Sequence, residues 1–171
     1  KICIKSMIFS VIILLLHGNG ISAQNVWVRE HEPARLMISE ERLEREIGFL
    51  SDSLCQGRGT GTGGGSAAAF WIHRKFENAG LLKFDGSYSQ NVWISRELTG
   101  HNIVGMLPGS HKKQCDRYII VGAHYDHLGK LGKKTFYPGA HDNASGTAAI
   151  MTMAAHYAKN RPDYDMYFIA F

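Results

Sequence analysis

The sequence predicts an α/β fold: a mixed, largely parallel sheet sandwiched by helices. An apolar, β-branched run from Tyr118 to Val121 leads directly into Gly122-Ala123-His124-Tyr125-Asp126-His127. An alanine-rich helical stretch from Ser145 to about Lys159 follows, and Met166 to Phe171 then begins a second buried strand. Strand, crossover helix and strand in that order is the pattern of a parallel sheet. In such sheets the polar machinery gathers beyond the C-terminal strand ends, the one edge that the helices leave open.

The chain opens with a segment of a different kind. Lys1 and Lys5 flank a short basic region, Met7 to Leu16 is an apolar run, and Ile21-Ser22-Ala23 offers a small residue ahead of Gln24. Ten apolar residues fall short of the roughly 20 that cross a bilayer core, so residues 1–23 read as a secretory signal peptide cleaved after Ala23. That places the mature protein outside the cell or in the periplasm, with no stable membrane insertion after cleavage. Residues 24–38 read as an N-terminal extension. Loss of Lys1 and Lys5 takes the net charge from +4 to +2, a balance that points neither to nucleic acid nor to a strongly charged partner. Cys55 and Cys115 then remain in an oxidising compartment. Spacing alone leaves their pairing open, and without a C-x-x-C any metal must rely on His and carboxylates.

From Ser39 the periodicity is helical. Leu43, Ile47 and Leu50 recur at four and three, and Glu40, Glu41 and Glu44 lie where the helix dipole favours acids. The glycine-rich run from Cys55 to Gly65 invites a phosphate-loop reading. Such a loop should leave a strand and open a helix, whereas these glycines leave a helix, and Gly132-Lys133-Lys134-Thr135 lacks the earlier glycine of a Walker loop. A helix-to-helix connection is the expectation. The next helix, about Ser66 to Ala79, stacks Ala69, Ile72 and Phe76 and stops at Gly80, a fitting C′ glycine. Tyr88 to Ile94 and His101 to Leu107 read as strands, the second closed by Pro108-Gly109. His101 reads as an edge or turn residue.

The chemistry concentrates in two places. His124 and Asp126 are two apart, so in an extended segment both side chains point the same way. An imidazole with a carboxylate beside it can be a metal ligand and its orienting partner. Asp142, in Gly139-Ala140-His141-Asp142-Asn143-Ala144-Ser145-Gly146, supplies a second carboxylate just ahead of a helix whose expected N-cap is Ser145. Alone, the first piece would read as a hydrogen-bonded histidine at a strand end, and the second as a turn and helix cap.

GAHYDHLG followed by GAHDNASGTAA resembles the co-catalytic zinc exopeptidases, a family that includes bacterial leucine aminopeptidases, aminopeptidase Y, glutamate carboxypeptidase and glutaminyl cyclase. The likeness spans roughly Leu43 to Phe171, and the glycine loop resembles the Gly-Arg-x-x-Gly-Thr segment that relatives carry between two helices. It implies the phosphorylase/hydrolase-like fold of these enzymes, with residues 39–171 as the N-terminal part of the catalytic domain and the sheet incomplete at the C-terminus. It also implies two Zn2+ ions, His124 binding one and Asp142 bridging both, with Asp126 as the catalytic-site carboxylate that orients the imidazole. His141 stands where many relatives have Asp, and His127 is not implied as a ligand. The implied general-base Glu, a Glu ligand and later Asp and His ligands fall beyond Phe171, so this stretch alone is expected to be inactive. The implied activity is hydrolysis of N-terminal residues from peptides. The alternatives are a glutaminyl cyclase-like transferase and a non-catalytic binding module on the same fold.

Overall fold

The computed structural model describes residues 12–16, 40–96, 98–110 and 117–171. Their elements run β1 (Ile12–Leu16), α1 (Glu40–Leu50), α2 (Gly63–Ala79), β2 (Leu82–Lys83), β3 (Ser89–Trp93), β4 (Thr99–Leu107), β5 (Tyr118–Ala123), β6 (Lys130–Leu131), β7 (Thr135–Phe136), α3 (Ser145–Lys159) and β8 (Asp165–Ala170). The main sheet has the order β1-β5-β8-β4-β2, with β3 also paired to β4. It is mixed: β5 and β8 are parallel, with Val121 opposite Phe168 and Ala123 opposite Ala170. The other pairings among the described residues are antiparallel. The small hairpin of β6 and β7 falls in a region that the sequence marked only as loop.

Ile12–Leu16 lies antiparallel to β5, with Ile12 opposite Gly122 and Leu16 opposite Tyr118. This apolar stretch, read from sequence within a signal peptide, thus has the backbone pairing of an edge strand where the chain retains it. The expected extension of residues 24–38 and Cys115 lie outside the described residues. Cys55 is buried with a free thiol. No helix among the described residues is long and apolar enough to cross a membrane.

The core forms where the helices meet one face of the sheet. Alternation along β8 buries Met166, Phe168 and Ala170, and their parallel neighbours Val121 and Ala123 face the same way. Phe76 of α2 packs on Phe168, ring centroids 6.4 Å apart. Ala148 and Ala154 of α3 are fully buried, as expected for a crossover helix whose small side chains let it approach the sheet. On the opposite face, Phe84, Tyr118, Ile120, Tyr167 and Ile169 line an open groove of about 390 Å³.

The helix α1 departs from its expected pattern. Leu50 is fully buried, Leu43 and Ile47 are half-buried, and Glu46 is 1 % exposed. Its carboxylate accepts from Trp71 Nε1 at 2.9 Å and from Lys75 Nζ at 2.6 Å, which clamps α1 to α2. A buried carboxylate keeps its charge only with such partners. Helix α2 starts at Gly63, three residues earlier than the periodicity indicated, because Thr62 caps it by accepting from Gly65 N–H at 3.1 Å. Gly80 ends it in the left-handed conformation, as expected.

Candidate metal centre

The parallel pair β5 and β8 fixes where the functional loop leaves the sheet. Tyr125 N–H donates to Phe171 O at 2.8 Å, and Phe171 N–H donates to Ala123 O at 3.1 Å. The Tyr125 side chain turns inward, 6 % exposed, and its hydroxyl donates to His101 O at 2.8 Å. Burial, with the Asp126 charge adding to it, pushes this phenol up to about 12, so it stays a neutral donor. Tyr125 is thereby an anchor for the loop, leaving His124 and Asp126 on the solvent side.

Asp142 arrives from the other direction. Ala140–Ala144 form one wide helical turn in which Asp142 (φ −122°, ψ 92°) and Asn143 (φ −133°, ψ 43°) leave helical geometry, and the bond between them is cis. The expected N-cap at Ser145 is corrected by the structure. Asn143, fully buried, accepts from Gly146 N–H through Oδ1 at 3.1 Å, while Ser145 is already helical and its hydroxyl donates back to His141 O. The non-helical backbone at Asn143 is what lets its side chain reach forward to an orphan N–H of α3. The Thr147 hydroxyl lies 3.0 Å from His124 O and 3.1 Å from Asn143 O, bridging the two loops.

The three residues singled out in the sequence come together. Asp126 Oδ1 lies 3.3 Å from His124 Nδ1, and Asp142 Oδ1 lies 3.4 Å from His124 Nε2. The other oxygen of Asp142 is 3.5 Å from Nδ1 of His127, whose side chain is only 11 % exposed. Asp142 itself is 65 % exposed, so the centre opens to solvent. His141 is exposed beside it.

This donor set fits a divalent transition metal. Bonds of roughly 2.0 Å at tetrahedral angles put two ligands of one zinc about 3.3 Å apart, close to the separation between His124 Nε2 and Asp142 Oδ1. The carboxylate on Nδ1 fixes which imidazole nitrogen keeps its proton and leaves Nε2 as the donor. Among the described residues no three His, Cys, Asp or Glu side chains converge on one point; His124 and Asp142 are a candidate pair of donors.

Two supporting residues were missed in the sequence, both in the glycine-rich loop. Arg58 is fully buried. Its guanidinium donates to Tyr125 O at 2.7 Å, to Pro138 O and Gly139 O at 2.8 Å each, to Leu50 O, and more distantly to Asp142 O. Burial lowers its pKa, while the charges of Cys55, Asp142 and Asp126 work in the opposite direction. Thr60 donates through its hydroxyl to Asp126 Oδ2 at 3.1 Å. The available signal was an arginine inside a run of glycines: a long polar side chain where backbones pack tightly.

Residues 102–171 match the model of peptidase family M28. The match begins within β4 and covers β5, α3 and β8 together with His124, Asp126 and Asp142. Over these residues the chain is similar to peptidase family M28. Outside the M28 match, similarity continues over more of the chain. A "Probable zinc metalloprotease" of Pyricularia oryzae is 30% identical over 169 residues, 90% of this chain and 33% of the relative. A "Probable leucine aminopeptidase" of Arthroderma otae is 30% identical over 132 residues, 76% of this chain and 33% of that protein. The chain therefore spans about one third of the length of these curated relatives. The solved structure of Bacteroides thetaiotaomicron glutaminyl cyclase superposes with a TM-score of 0.58 at 21% identity, covering 76% of this chain and 45% of that one. That likeness shows a shared mixed α/β fold.

Proposed function

We propose that the protein carrying this chain is an exported, zinc-dependent aminopeptidase that removes N-terminal residues from peptides. The observation that carries the reading is the juxtaposition of His124 Nε2 and Asp142 Oδ1 at 3.4 Å on the open edge beyond parallel strands, within the stretch similar to family M28. Aminopeptidase and zinc metalloprotease are the names borne by the relatives reported above. Export is supported by the basic and then apolar residues 1–16.

In this reading His124 would hold zinc through Nε2, and Asp142, with one oxygen 3.4 Å from His124 Nε2 and the other 3.5 Å from His127 Nδ1, would supply the carboxylate donor of the site. Asp126 holds the Nδ1 proton and keeps the ring in the orientation that presents Nε2. Zinc, when bound, supplies Lewis acidity, which polarises a scissile carbonyl and acidifies water at the site. A catalytic zinc takes three protein ligands, so the reading places the remaining donors and the proton-accepting carboxylate outside the described residues. The high exposure of Asp142 leaves room for a peptide end. The fold likeness to a glutaminyl cyclase favours a second reading, intramolecular transfer at an N-terminal glutamine, on the same two donors.

The test uses the secreted full-length gene product. N-terminal sequencing should start at Gln24, elemental analysis should find two zinc ions per chain, and aminoacyl-anilide hydrolysis should stop on chelation. Asp142→Ala should lose both zinc and activity. Hydrolysis indifferent to chelator, or untouched in Asp142→Ala, overturns the peptidase reading, and cyclisation of glutaminyl peptides without anilide hydrolysis selects the second one.

A further inference from the structure

The residue that holds Asp126 in place is itself held from three sides. Asp126 lies at the end of a loop with its side chain 48 % exposed, and an exposed carboxylate turns freely about its last torsion unless both oxygens are engaged. One oxygen faces His124 Nδ1; the other accepts from Thr60 Oγ1. The Thr60 methyl occupies the space over Gly100 of β4, where a Cβ built on that residue would lie 3.1 Å from Thr60 Cγ2. A β-branched side chain has few rotamers to begin with, and with the methyl against Gly100 the hydroxyl is directed at Asp126.

The loop beneath is equally fixed. His127 N–H donates to Arg58 O at 3.1 Å and Gly129 N–H donates to Gly57 O at 2.9 Å, so the 57–60 and 126–129 backbones are stitched together. A Cβ on Gly57 would lie 2.2 Å from Gly129 O; only glycine permits this approach, and Gly57 also has a φ of +75°. These bonds hold the backbone that carries Thr60 in register with the one that carries Asp126.

We infer that Thr60 is a positioning residue of the metal centre: its hydroxyl locks Asp126 so that Asp126 Oδ1 fixes His124 Nδ1 and His124 Nε2 faces Asp142. This rests on the zinc reading of the site. The Thr60 hydroxyl is hydrogen-bonded to Asp126; it acts through that carboxylate, and its effect belongs in metal affinity more than in folding.

The test compares Thr60→Val, which keeps the shape and deletes the donor, with Thr60→Ser, which keeps the donor. Zinc affinity is measured by competition with a chromophoric chelator on the full-length protein, and the Co2+-substituted form is examined by its d–d spectrum. Loss of an outer partner of a metal-bound histidine weakens metal binding about 10- to 100-fold; Thr60 acts one hydrogen bond further out, so Thr60→Val should bind zinc more than about threefold and up to about tenfold more weakly, with a shifted Co2+ spectrum. Thr60→Ser should stay within about threefold of wild type, a small fraction of the range for a lost outer partner, and the metal-free thermal midpoints of all three proteins should coincide. Equal zinc affinity and equal spectra for wild type and Thr60→Val overturn the assignment. So does a fall in the metal-free midpoint that accounts for the whole loss of affinity. Wild-type protein that binds no zinc refutes the zinc reading itself, and this assignment with it.

Discussion

Replacing Arg58 with methionine tests the architecture of the site more severely than replacing any of its metal donors. The side chain is fully buried and serves four carbonyls at close range: Leu50 at the end of α1, Tyr125 after β5, and Pro138 and Gly139 ahead of the Asp142 turn. Methionine fills most of the volume but leaves those acceptors without their donor. A buried group stripped of its partner costs about 1–3 kcal/mol, so four such losses sum to about 4–12 kcal/mol if none is repaired. Two effects reduce the figure. The carbonyls near the open site can take water, and the variant no longer bears the cost of burying a charge, a cost visible in the lowered pKa of Arg58. The expected net loss is about 4 kcal/mol, the low end of that range and much of the 5–15 kcal/mol that holds a domain together. At roughly 2–4 °C per kcal/mol for a chain of this size the midpoint should fall by about 10 °C. Lysine at the same position keeps the charge but has three donors on one atom instead of a planar fork, so Arg58→Lys should recover no more than about half of the loss. Urea and thermal unfolding followed by far-ultraviolet circular dichroism measure both. A midpoint for Arg58→Met within about 2 °C of wild type, under 1 kcal/mol on the same scale, refutes the claim that this guanidinium ties the three segments together.

Two further outcomes follow from the same loop. A Cβ on Gly64 would lie 2.1 Å from Cys55 O, whereas one on Gly63 meets nothing within 4 Å. Gly64→Ala should therefore destabilise by about 1–3 kcal/mol through overpacking, while Gly63→Ala should be neutral or stabilising by up to about 1 kcal/mol; equal thermal midpoints for the pair would contradict the packing described. The Cys55 thiol is buried, lies 3.4 Å from Phe49 O as its donor, and has its pKa raised by burial, a rise that Arg58 opposes and Asp52 reinforces. The reactive thiolate is thus disfavoured beyond the ordinary thiol range. Iodoacetamide at pH 8 should leave Cys55 unlabelled until denaturant is added, as read by peptide mass spectrometry, and labelling in native protein at the rate of a free thiol would show that the pocket opens.

The elements most legible in the sequence are those whose signal is local. The run of β-branched residues into Gly122 gave β5, the buried alanines gave α3, and Gly80 marked the end of α2. The α1 stripe was read too narrowly, because a carboxylate at position 46 looks solvent-facing until Trp71 and Lys75 arrive from α2, 25 and 29 residues away in the chain. Helix α2 was read three residues too short, because Gly63, Gly64 and Gly65 are poor helix formers by themselves. What admits glycines there is the space between backbones, a property of the folded state.

The sequence alone singled out the candidate groups: an imidazole at 124 with a carboxylate two residues on, and a second carboxylate at 142, are short-range patterns at a strand end and a turn. Which atoms face which was decided only by the tertiary structure. Asp142 meets His124 because Thr147 and the buried Arg58 tie the two loops together, and Asp126 is oriented because a threonine 66 residues away in sequence reaches it. Hydrogen bonds of that kind depend on distance in space, and the sequence carries no term for it until the backbone has closed.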